Sequence, residues 1–590
     1  MSPFYWEGRF GWLHDRATVA GAAAPRAGVI LCSAFGQEEV CTHYGLMELA
    51  ERLADADLPT LRFDYRGTGD SVPAEVTVDT MRADIARAAD CLRQQALVDR
   101  VILLGVRLGA ALAWQAREQI PGIAAMVMIA PTISGQAYIR ETRAAAGVAS
   151  LSGLEPVPPM DGDQPLIANG FRWAASLQRQ IADIDLTTTP APAWPMLMVP
   201  GRGDRRTGKL AASWRDAGAA VTDLPFPDYD GWMQDPTTNE TPHATFAAIT
   251  DWLRTVPVTG SAVDIDPVAI DPQITIGTAT EQPVRFGPDD VLFGILTRPA
   301  DGNAAPVAAL LLHEGSTHHI GNGGAYVTLA RTLADAGFAS LRMDLTGMGD
   351  SPAGDNPRHP HYDPERIAEG VAGVELLSRL GFAGAVAFGL CSGAHTALQV
   401  TLADRRVVGN VILNLQKFIW HYGDDVRVAV RDNKRSLKGY LRAMRNPGEW
   451  RRALSGDADL KGIARVLGKR AIARVGHAIT GLMPPRPGSE AAQVRDQMRH
   501  LADRNVHTHL VFSDEDPGLA EMWARFGGRA RRLAAFAPAK FTMLDRADHH
   551  FNGQSARQRH IVLARDVMIA ATAAHADAPP RATPPIDPAR

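Results

Sequence analysis

Cysteine is scarce in this chain of 590 residues, which has four, at positions 32, 41, 91 and 391. Their spacing matches no zinc-ligand motif and no disulfide framework, and a reducing compartment suits them. No uninterrupted apolar run is long enough to span a bilayer, and the first residues lack the basic and apolar segments of a secretory signal. These absences argue against a disulfide-stabilised secreted module and a membrane-spanning protein, and we expect a cytoplasmic one.

Standard metal-binding and phosphate-binding motifs are also missing. His313, His318 and His319 share a loop, but their spacing matches no standard ligand set, so we expect them at the rim of a pocket. The glycine-rich residues 321–324 lack the Lys-Ser/Thr pair of a phosphate-binding P-loop. We therefore expect neither a metal nor a cofactor.

Charge is distributed unevenly along the chain. The net charge is -4, yet residues 415–505 hold 19 Lys and Arg against 9 Asp and Glu. A basic segment is usually a solvated surface, but this concentration also favours an anionic partner: a coenzyme A or carrier-protein thioester, an acidic saccharide or an anionic membrane surface. No recognised nucleic-acid-binding motif is present, so we do not expect nucleic acid as the partner.

The chain repeats itself at an offset of 280 residues. Residues 49–56 and 329–336 share the pattern Leu-Ala-x-x-Leu-Ala-Asp-Ala, and residues 64–71 and 344–351 share Asp-x-x-Gly-x-Gly-Asp-Ser. Each half alternates predicted strands and helices, which indicates a mostly parallel sheet flanked by helices. We predict one domain at 1–257 and another at 274–574, a linker at 258–273 and a disordered tail at 575–590.

A sharp turn between a predicted strand and a predicted helix is the strongest functional signal. Residues 389–393 read Gly-Leu-Cys-Ser-Gly, and a nucleophile elbow needs nearly absent side chains two residues before and after the nucleophile. This favours Cys391, because taking Ser392 as the nucleophile would place Leu390 and Ala394 at the crowded positions. The alternative is that Cys391 is an ordinary buried cysteine in a glycine turn.

Downstream acids and histidines occur in the order that a catalytic triad of this type requires. A turn with acids at 514–516 follows one predicted strand, and His549 and His550 follow the next. We predict that His549 is the general base and later the general acid, and that Asp516 orients it. The other two acids of that turn remain rivals to Asp516, and His550 remains a rival to His549.

The oxyanion hole is expected from backbone N–H groups. One donor is Ser392, and the second comes from the loop after the predicted strand at 308–312, from Glu314, Gly315 or Ser316. We take Gly315 and Ser316 as the preferred second donors.

The first half carries an altered elbow. Residues 105–109 read Gly-Val-Arg-Leu-Gly, so Arg107 occupies the nucleophile position. A guanidinium cannot attack a carbonyl carbon, and no histidine occurs in the corresponding segment at 228–233. We expect a non-catalytic first domain in which Arg107 pairs with Asp204 or another acid. The alternative is that Arg107 binds a carboxylate or phosphate group.

Both halves resemble the α/β-hydrolase superfamily, closest to its serine-aminopeptidase-like branch, through the elbow and the Asp-x-x-Gly-x-Gly-x-Ser turn. The tandem copies are also similar to paired hydrolases associated with bacterial exopolysaccharide and exosortase gene systems. The resemblance implies two tandem α/β-hydrolase domains, each a mostly parallel sheet flanked by helices, with a helical cap at about 415–507 in the second.

With a cysteine at the elbow position, the second half resembles three groups of enzymes with this fold: bile-acid and acyl-CoA N-acyltransferases, polyhydroxyalkanoate synthases and dienelactone hydrolase. This likeness implies a hydrolase or acyltransferase that acts on an ester or thioester through a Cys391 acyl-enzyme and a Cys-His-Asp triad. The alternative function is a non-catalytic scaffold or binding protein in a polysaccharide or natural-product pathway.

Overall fold

The computed structural model describes residues 1–16, 26–150, 163–260, 263–315, 317–353, 362–421, 486–514 and 516–576. The chain divides into two units: residues 1–296, 315–329 and 344–359 form the first, and residues 297–314, 330–343 and 360–590 form the second. Among the described helices, none combines the length and apolarity needed to cross a lipid bilayer.

The first half forms a nine-stranded sheet and a separate two-stranded sheet. Its sheet order is β10-β9-β6-β5-β3-β4-β2-β1-β11, and β7 pairs with β8. The last of these strands, β11, lies inside the predicted linker and pairs with β1. The strands are β1 (Ser2–Trp6), β2 (Arg9–His14), β3 (Ala27–Cys32), β4 (Thr60–Phe63), β5 (Arg100–Val106), β6 (Ile123–Ile129), β7 (Leu166–Ala168), β8 (Phe171–Trp173), β9 (Met196–Val199), β10 (Val221–Asp223) and β11 (Ile270–Asp271).

The second half forms another nine-stranded sheet, in the order β12-β13-β14-β16-β15-β17-β18-β19-β20. Strands β15 to β20 pair in parallel. The strands are β12 (Ile274–Ile276), β13 (Ala279–Phe286), β14 (Leu292–Pro299), β15 (Val307–Leu312), β16 (Ser340–Asp344), β17 (Gly384–Leu390), β18 (Val407–Leu413), β19 (His507–Ser513) and β20 (Lys540–Leu544).

Helices connect the strands. They are α1 (Gln37–Asp55), α2 (Val78–Ala96), α3 (Leu108–Ala116), α4 (Gly135–Ser150), α5 (Ala175–Ala182), α6 (Arg205–Asp216), α7 (Tyr229–Trp232), α8 (His243–Arg254), α9 (Ala325–Asp335), α10 (Glu365–Arg379), α11 (Ser392–Ala403), α12 (Glu490–Asp503), α13 (Leu519–Phe526) and α14 (Gln554–Ala576). Short 3-10 helices occupy Arg117–Gln119, Leu186–Thr188, Pro288–Asp290, Asn322–Gly324 and Gly528–Phe536.

The two sheets have the same strand order when one is written in reverse, from β20 to β12 and from β10 to β11. Their central strands are continuous apolar runs: β3, β15 and β17 are buried along their whole length, as expected of parallel strands covered on both faces. The predicted tandem pair of mostly parallel sheets flanked by helices is confirmed.

The repeated Asp-x-x-Gly-x-Gly-Asp-Ser motif is a turn that closes on its own first residue. The Asp64 carboxylate accepts the backbone N–H of Asp70 at 2.8 Å, and the Ser71 hydroxyl donates to the Asp64 carbonyl oxygen at 2.8 Å. Gly69 has a φ of +51°, and a Cβ there would lie 2.0 Å from the Asp64 carboxylate. The motif therefore needs glycine for both the left-handed backbone and the close approach.

We expected the loop histidines at the rim of a pocket, and His318 and His319 are buried in the first unit, where they line a small cavity. The His319 ring bridges two carboxylates, with Nδ1 2.6 Å from Asp344 Oδ2 and Nε2 2.6 Å from Asp70 Oδ2. Burial opposes a positive charge on His319, but these two carboxylates outweigh it and hold the pKa of the imidazole well above its ordinary value. The two carboxylates therefore compensate for the cost of burying a positively charged His319.

Candidate active site

The elbow of the second half holds Cys391 between β17 and α11. Its backbone angles are φ 54° and ψ -113°, a conformation that costs energy for any residue other than glycine. A Cβ on Gly389 would lie 2.0 Å from the Gly393 carbonyl oxygen, and one on Gly393 would lie 2.4 Å from the Leu312 carbonyl oxygen. The two glycines are therefore required by close backbone approach, and they keep Cys391 at the carboxyl edge of the sheet.

Cys391 differs from the other cysteines in exposure. It is partly exposed, whereas Cys32, Cys41 and Cys91 are buried. Burial raises the pKa of the Cys41 and Cys91 thiols to about 12, so these groups stay protonated at neutral pH. Accessible thiol chemistry is thus concentrated at the elbow.

Asp516 and His549 meet at the same edge of the sheet, because Asp516 follows β19 and His549 follows the neighbouring strand β20. The distance between His549 Nδ1 and Asp516 Oδ2 is 2.5 Å. The second carboxylate oxygen, Oδ1, accepts the backbone N–H of Gly518 at 2.7 Å and the side-chain amide of Gln416 at 3.0 Å. Both oxygens are occupied, so the carboxylate is fixed in orientation.

The Cys391 sulfur lies near the His549 ring and interacts with it electrostatically. Burial opposes a positive charge on His549, but the Asp516 carboxylate and the Cys391 sulfur outweigh it and hold the pKa of the imidazole well above its ordinary value. The three groups are arranged so that the ring can receive the thiol proton on one nitrogen while the other nitrogen donates to Asp516.

The rival residues are placed differently. The His550 ring donates from Nδ1 to Glu314 Oε2 at 2.9 Å, and the backbone N–H of Asp514 donates to the Leu544 carbonyl oxygen at 3.0 Å. The third acid of the turn, Glu515, lies outside the described residues.

The predicted oxyanion donors are only partly described. Ser392 is the first residue of α11, and Gly315 is buried directly after Glu314. Ser316 lies outside the described residues. The oxyanion assignment therefore stays a prediction.

Asn414 is a site residue that sequence reasoning missed. It directly follows β18, and its side-chain amide donates to the His549 carbonyl oxygen at 2.7 Å. Its side-chain oxygen accepts the backbone N–H of Ser513 at 2.8 Å. Asn414 therefore ties the loop of the histidine to the strand that carries the acid. The available signal was its position, since it lies at the carboxyl end of a strand next to the elbow strand.

Tyr362 was also missed, and its hydroxyl lies close enough to the Cys391 sulfur to interact with it electrostatically. Its ring stacks on Trp420, with ring centroids 3.5 Å apart, and meets the edge of His395 at 5.4 Å. Burial, followed by the charge of Cys391, raises the pKa of Tyr362 well above its ordinary value, so the hydroxyl remains a donor. A single tyrosine in a loop carries no motif, so its place near Cys391 could not be predicted from the sequence.

Arg107 occupies the elbow of the first half and has nearly the same backbone conformation as Cys391, with φ 52° and ψ -118°. Its Nε donates to Glu38 Oε1 at 2.7 Å, and one terminal nitrogen lies 3.4 Å from a carboxylate oxygen of Glu141. The Tyr138 hydroxyl donates to the other Glu38 oxygen at 2.9 Å. The expected pairing with another acid is therefore present.

The specific pairing of Arg107 with Asp204 is wrong. Asp204 caps α6 instead, where its side chain accepts the backbone N–H groups of Arg206 and Thr207. An aspartate directly before a helix accepts hydrogen bonds from backbone N–H groups that have no other partner. These nearby donors occupy the Asp204 carboxylate in place of the Arg107 guanidinium.

Replacing Arg107 by Ala should lower stability without disturbing chemistry at Cys391. The substitution leaves the partly buried Glu38 carboxylate without its cation, so we expect a loss of about 1 to 3 kcal/mol. Urea denaturation measures the loss, and iodoacetamide labelling of Cys391 should proceed at the wild-type rate. Adding Glu38→Gln should recover part of the stability. A loss of labelling as large as that of His549→Ala would contradict the assignment of catalysis to the second half.

Most of the predicted cap lies outside the described residues, which resume at 486 after 421. The basic residues that suggest an anionic partner are mainly in that segment. The described part of the predicted cap includes α12, whose first residue, Glu490, accepts from Arg525 at 2.6 Å.

The sheets and elbows define the class of the protein as an α/β-hydrolase fold. A protein-family model described as "Serine aminopeptidase, S33" matches residues 23–155, and one described as "Alpha/beta hydrolase family" matches residues 309–559. The chain carries two α/β-hydrolase domains in tandem, and the family matches support a hydrolase. No curated protein matches the chain.

Solved structures similar to part of the chain include esterases and related enzymes. Est1E from Butyrivibrio proteoclasticus, with bound ferulic acid, is 16% identical over 43% of this chain and 98% of its own, with a TM-score of 0.32. A proline iminopeptidase-related protein from Thermus thermophilus is 18% identical over 43% of this chain and 99% of its own, with a TM-score of 0.29. A dienelactone hydrolase from Anabaena variabilis is 15% identical over 50% of this chain and 98% of its own, with a TM-score of 0.31.

Proposed function

We propose that the second domain cleaves an ester or thioester through an acyl-enzyme on Cys391 and passes the acyl group to water or to another acceptor. The observation that carries the proposal is the hydrogen bond between His549 and Asp516, with the His549 ring near a cysteine that is held in the strained elbow conformation. A thiolate is the nucleophilic form of cysteine, and a histidine positioned to take its proton increases that form at neutral pH.

The chemistry follows from these contacts. His549 takes the thiol proton, and the Cys391 sulfur attacks the carbonyl carbon of the substrate. The oxyanion that forms accepts hydrogen bonds from backbone N–H groups, with Ser392 and the loop at 314–316 as the proposed donors. The carbon–oxygen or carbon–sulfur bond to the leaving group then breaks, and His549 returns its proton to the leaving alcohol or thiol.

In the proposed reaction, Asp516 stabilises the charged form of His549 and Tyr362 stabilises that of Cys391. Asp516 holds the His549 ring in the orientation that leaves the other nitrogen toward the sulfur, and it stabilises the imidazolium. The Tyr362 hydroxyl donates to the sulfur, which stabilises its negative charge before attack and after release.

The basic segment at 415–505 suggests the class of substrate. An excess of Lys and Arg there would attract an anionic substrate, such as a coenzyme A or carrier-protein thioester. We propose that the first domain has no catalytic function, because Arg107 replaces its nucleophile and pairs with Glu38.

A panel of substrates tests the proposed reaction. The purified chain should turn over acyl thioesters and p-nitrophenyl esters, and added alcohols or amines should reveal transfer through new acyl products. Turnover should disappear after treatment with iodoacetamide. An absence of turnover across the panel, together with Cys391 labelling no faster than that of a free thiol, would favour the scaffold function instead.

Replacing Tyr362 by Phe should slow the reaction of Cys391 while leaving the fold intact. The variant keeps the ring stacked on Trp420 but removes the hydroxyl that donates to the sulfur, so we expect iodoacetamide labelling at pH 7 to fall about 10-fold. Quantitative mass spectrometry of the labelled peptide measures the rate, and Tyr229→Phe in the first unit is the matched control. Equal labelling rates in Tyr362→Phe and the wild type would remove Tyr362 from the mechanism.

A further inference from the structure

A buried carboxylate lies beside the proposed triad, and the steps described above do not use it. Glu314 lies two residues after the end of β15 and is 3% exposed. Its Oε2 accepts from the His550 ring at 2.9 Å, whereas its Oε1 is buried and has no hydrogen-bond partner among the residues that the structure describes. A buried carboxylate oxygen without a donor is unfavourable, so a bound molecule that supplies an O–H or N–H group would be stabilised there.

The position of Glu314 suits a molecule that reacts at the same site. One carboxylate oxygen of Glu314, one ring nitrogen of His549 and one ring nitrogen of His550 lie within 4.8 Å of one another. Two hydrogen bonds of about 2.8 Å each can bridge such a separation through a single oxygen or nitrogen atom. A water molecule or a primary amine can therefore contact Glu314 and His549 together.

The fold itself does not require this carboxylate. At the offset of 280 residues, the first half has Ala34 at the position of Glu314, and it builds the equivalent strand β3 and the residues that follow it. Ala34 is also buried, at 2% exposure. The half with arginine at its elbow has no carboxylate there, whereas the half with Cys391 has one.

We infer that Glu314, held by His550, binds the acyl acceptor: a water or a primary amine that donates one hydrogen to its carboxylate and has a second hydrogen for His549 to remove. This inference rests on the proposed acyl-enzyme and concerns its second half-reaction. His549 removes the acceptor proton, and the acceptor oxygen or nitrogen forms a bond to the acyl carbon. The bond between that carbon and the Cys391 sulfur breaks, its electron pair stays on sulfur, and the proton on His549 is available to the thiolate.

Burst kinetics with p-nitrophenyl acetate separate the two half-reactions. In Glu314→Ala, the first-turnover release of p-nitrophenol should stay within about 3-fold of the wild-type rate, because acylation needs no acceptor. The steady-state rate should fall at least about 30-fold, and intact-mass spectrometry should find the acetylated enzyme accumulating. Glu375→Ala, an exposed residue of α10, is the matched control and should change neither rate.

Two further variants keep the test decisive if Glu314→Ala folds poorly. Glu314→Gln retains the size of the side chain but not its charge, and His550→Gln removes the histidine that holds the carboxylate. Both should slow deacetylation more than acetylation. Adding ethylamine distinguishes the acceptors: a loss confined to acetyl transfer to the amine indicates an amine acceptor, whereas a loss of hydrolysis indicates water.

Failure of this inference can be distinguished from failure of the proposed function. If the wild type forms no acetyl-Cys391, the proposed acyl-enzyme and the inference both fall. If the wild type forms it and the folded Glu314 variants deacetylate at the wild-type rate, or lose acetylation equally, only the acceptor role of Glu314 is overturned.

Discussion

Cys391→Ala should lose turnover of esters and thioesters by at least about 10,000-fold, because no other described side chain occupies the elbow position of the second domain. Covalent labelling by fluorophosphonate or iodoacetamide at the elbow should disappear as well. The elbow glycines pack against backbone atoms and do not depend on the thiol, so the variant should fold. Steady-state kinetics and peptide mapping after labelling measure both effects.

The matched control for Cys391→Ala is Cys41→Ala, which removes a buried thiol from the first unit. It should keep wild-type turnover. The neighbouring Ser392 is unchanged in Cys391→Ala, so this variant also tests the register of the elbow. Retained fluorophosphonate labelling at Ser392, or retained turnover, would show that Cys391 is not the nucleophile.

Asp516→Asn should lower kcat by about 1,000- to 10,000-fold, since the amide cannot hold His549 in the required tautomer or stabilise its imidazolium. The Asp516 carboxylate raises the pKa of His549, so this pKa should fall in the variant. At pH 7 a smaller share of the ring would then hold the proton taken from Cys391. Activity assays give the kcat, and an NMR titration of His549 follows its pKa.

Asp514→Asn is the matched control for Asp516→Asn, because Asp514 is an acid in the same turn. Its backbone N–H makes the contact with β20 and is retained in the variant, so the substitution should change kcat by less than about 3-fold. Equal losses in the two variants would mean that the turn as a whole, and not the Asp516 carboxylate, supports the reaction.

The fold could be predicted from the sequence because its determinants are local and repeated. The offset of 280 residues revealed the duplication, and the glycines of the Asp64 turn and of the elbow mark places where a Cβ would collide with other atoms. These glycines are required by the local backbone geometry, and their positions can be read from the sequence.

The site was only partly predictable. Chain order pointed to Asp516 and His549, since the carboxyl ends of neighbouring parallel strands meet at one edge. It could not separate Asp516 from Asp514, because two residues in one turn are distinguished by backbone direction rather than by spacing. The contacts of Tyr362 and Glu314 join distant parts of the chain through single side chains without a motif.

Arg107 and His319 show the same limit for buried charges. The sequence predicted an acidic partner for Arg107, but the choice of Glu38 over Asp204 depended on a helix cap that competed for the aspartate. His319 was expected at a pocket rim, because its spacing from His313 and His318 matches no standard metal-ligand motif. The carboxylates of Asp70 and Asp344, from two distant turns, stabilise it in a buried position.

Trapping the acyl-enzyme tests the central claim most directly. The wild-type chain is mixed with a p-nitrophenyl ester or an acyl thioester, quenched with acid during the first turnovers, digested and mapped by mass spectrometry. The account predicts that the acyl mass appears on the peptide that contains Cys391, with fragment ions placing it on that residue, and that it decays as product forms. Turnover with no acyl group on Cys391, or with the acyl group on another residue such as Ser392, would contradict it.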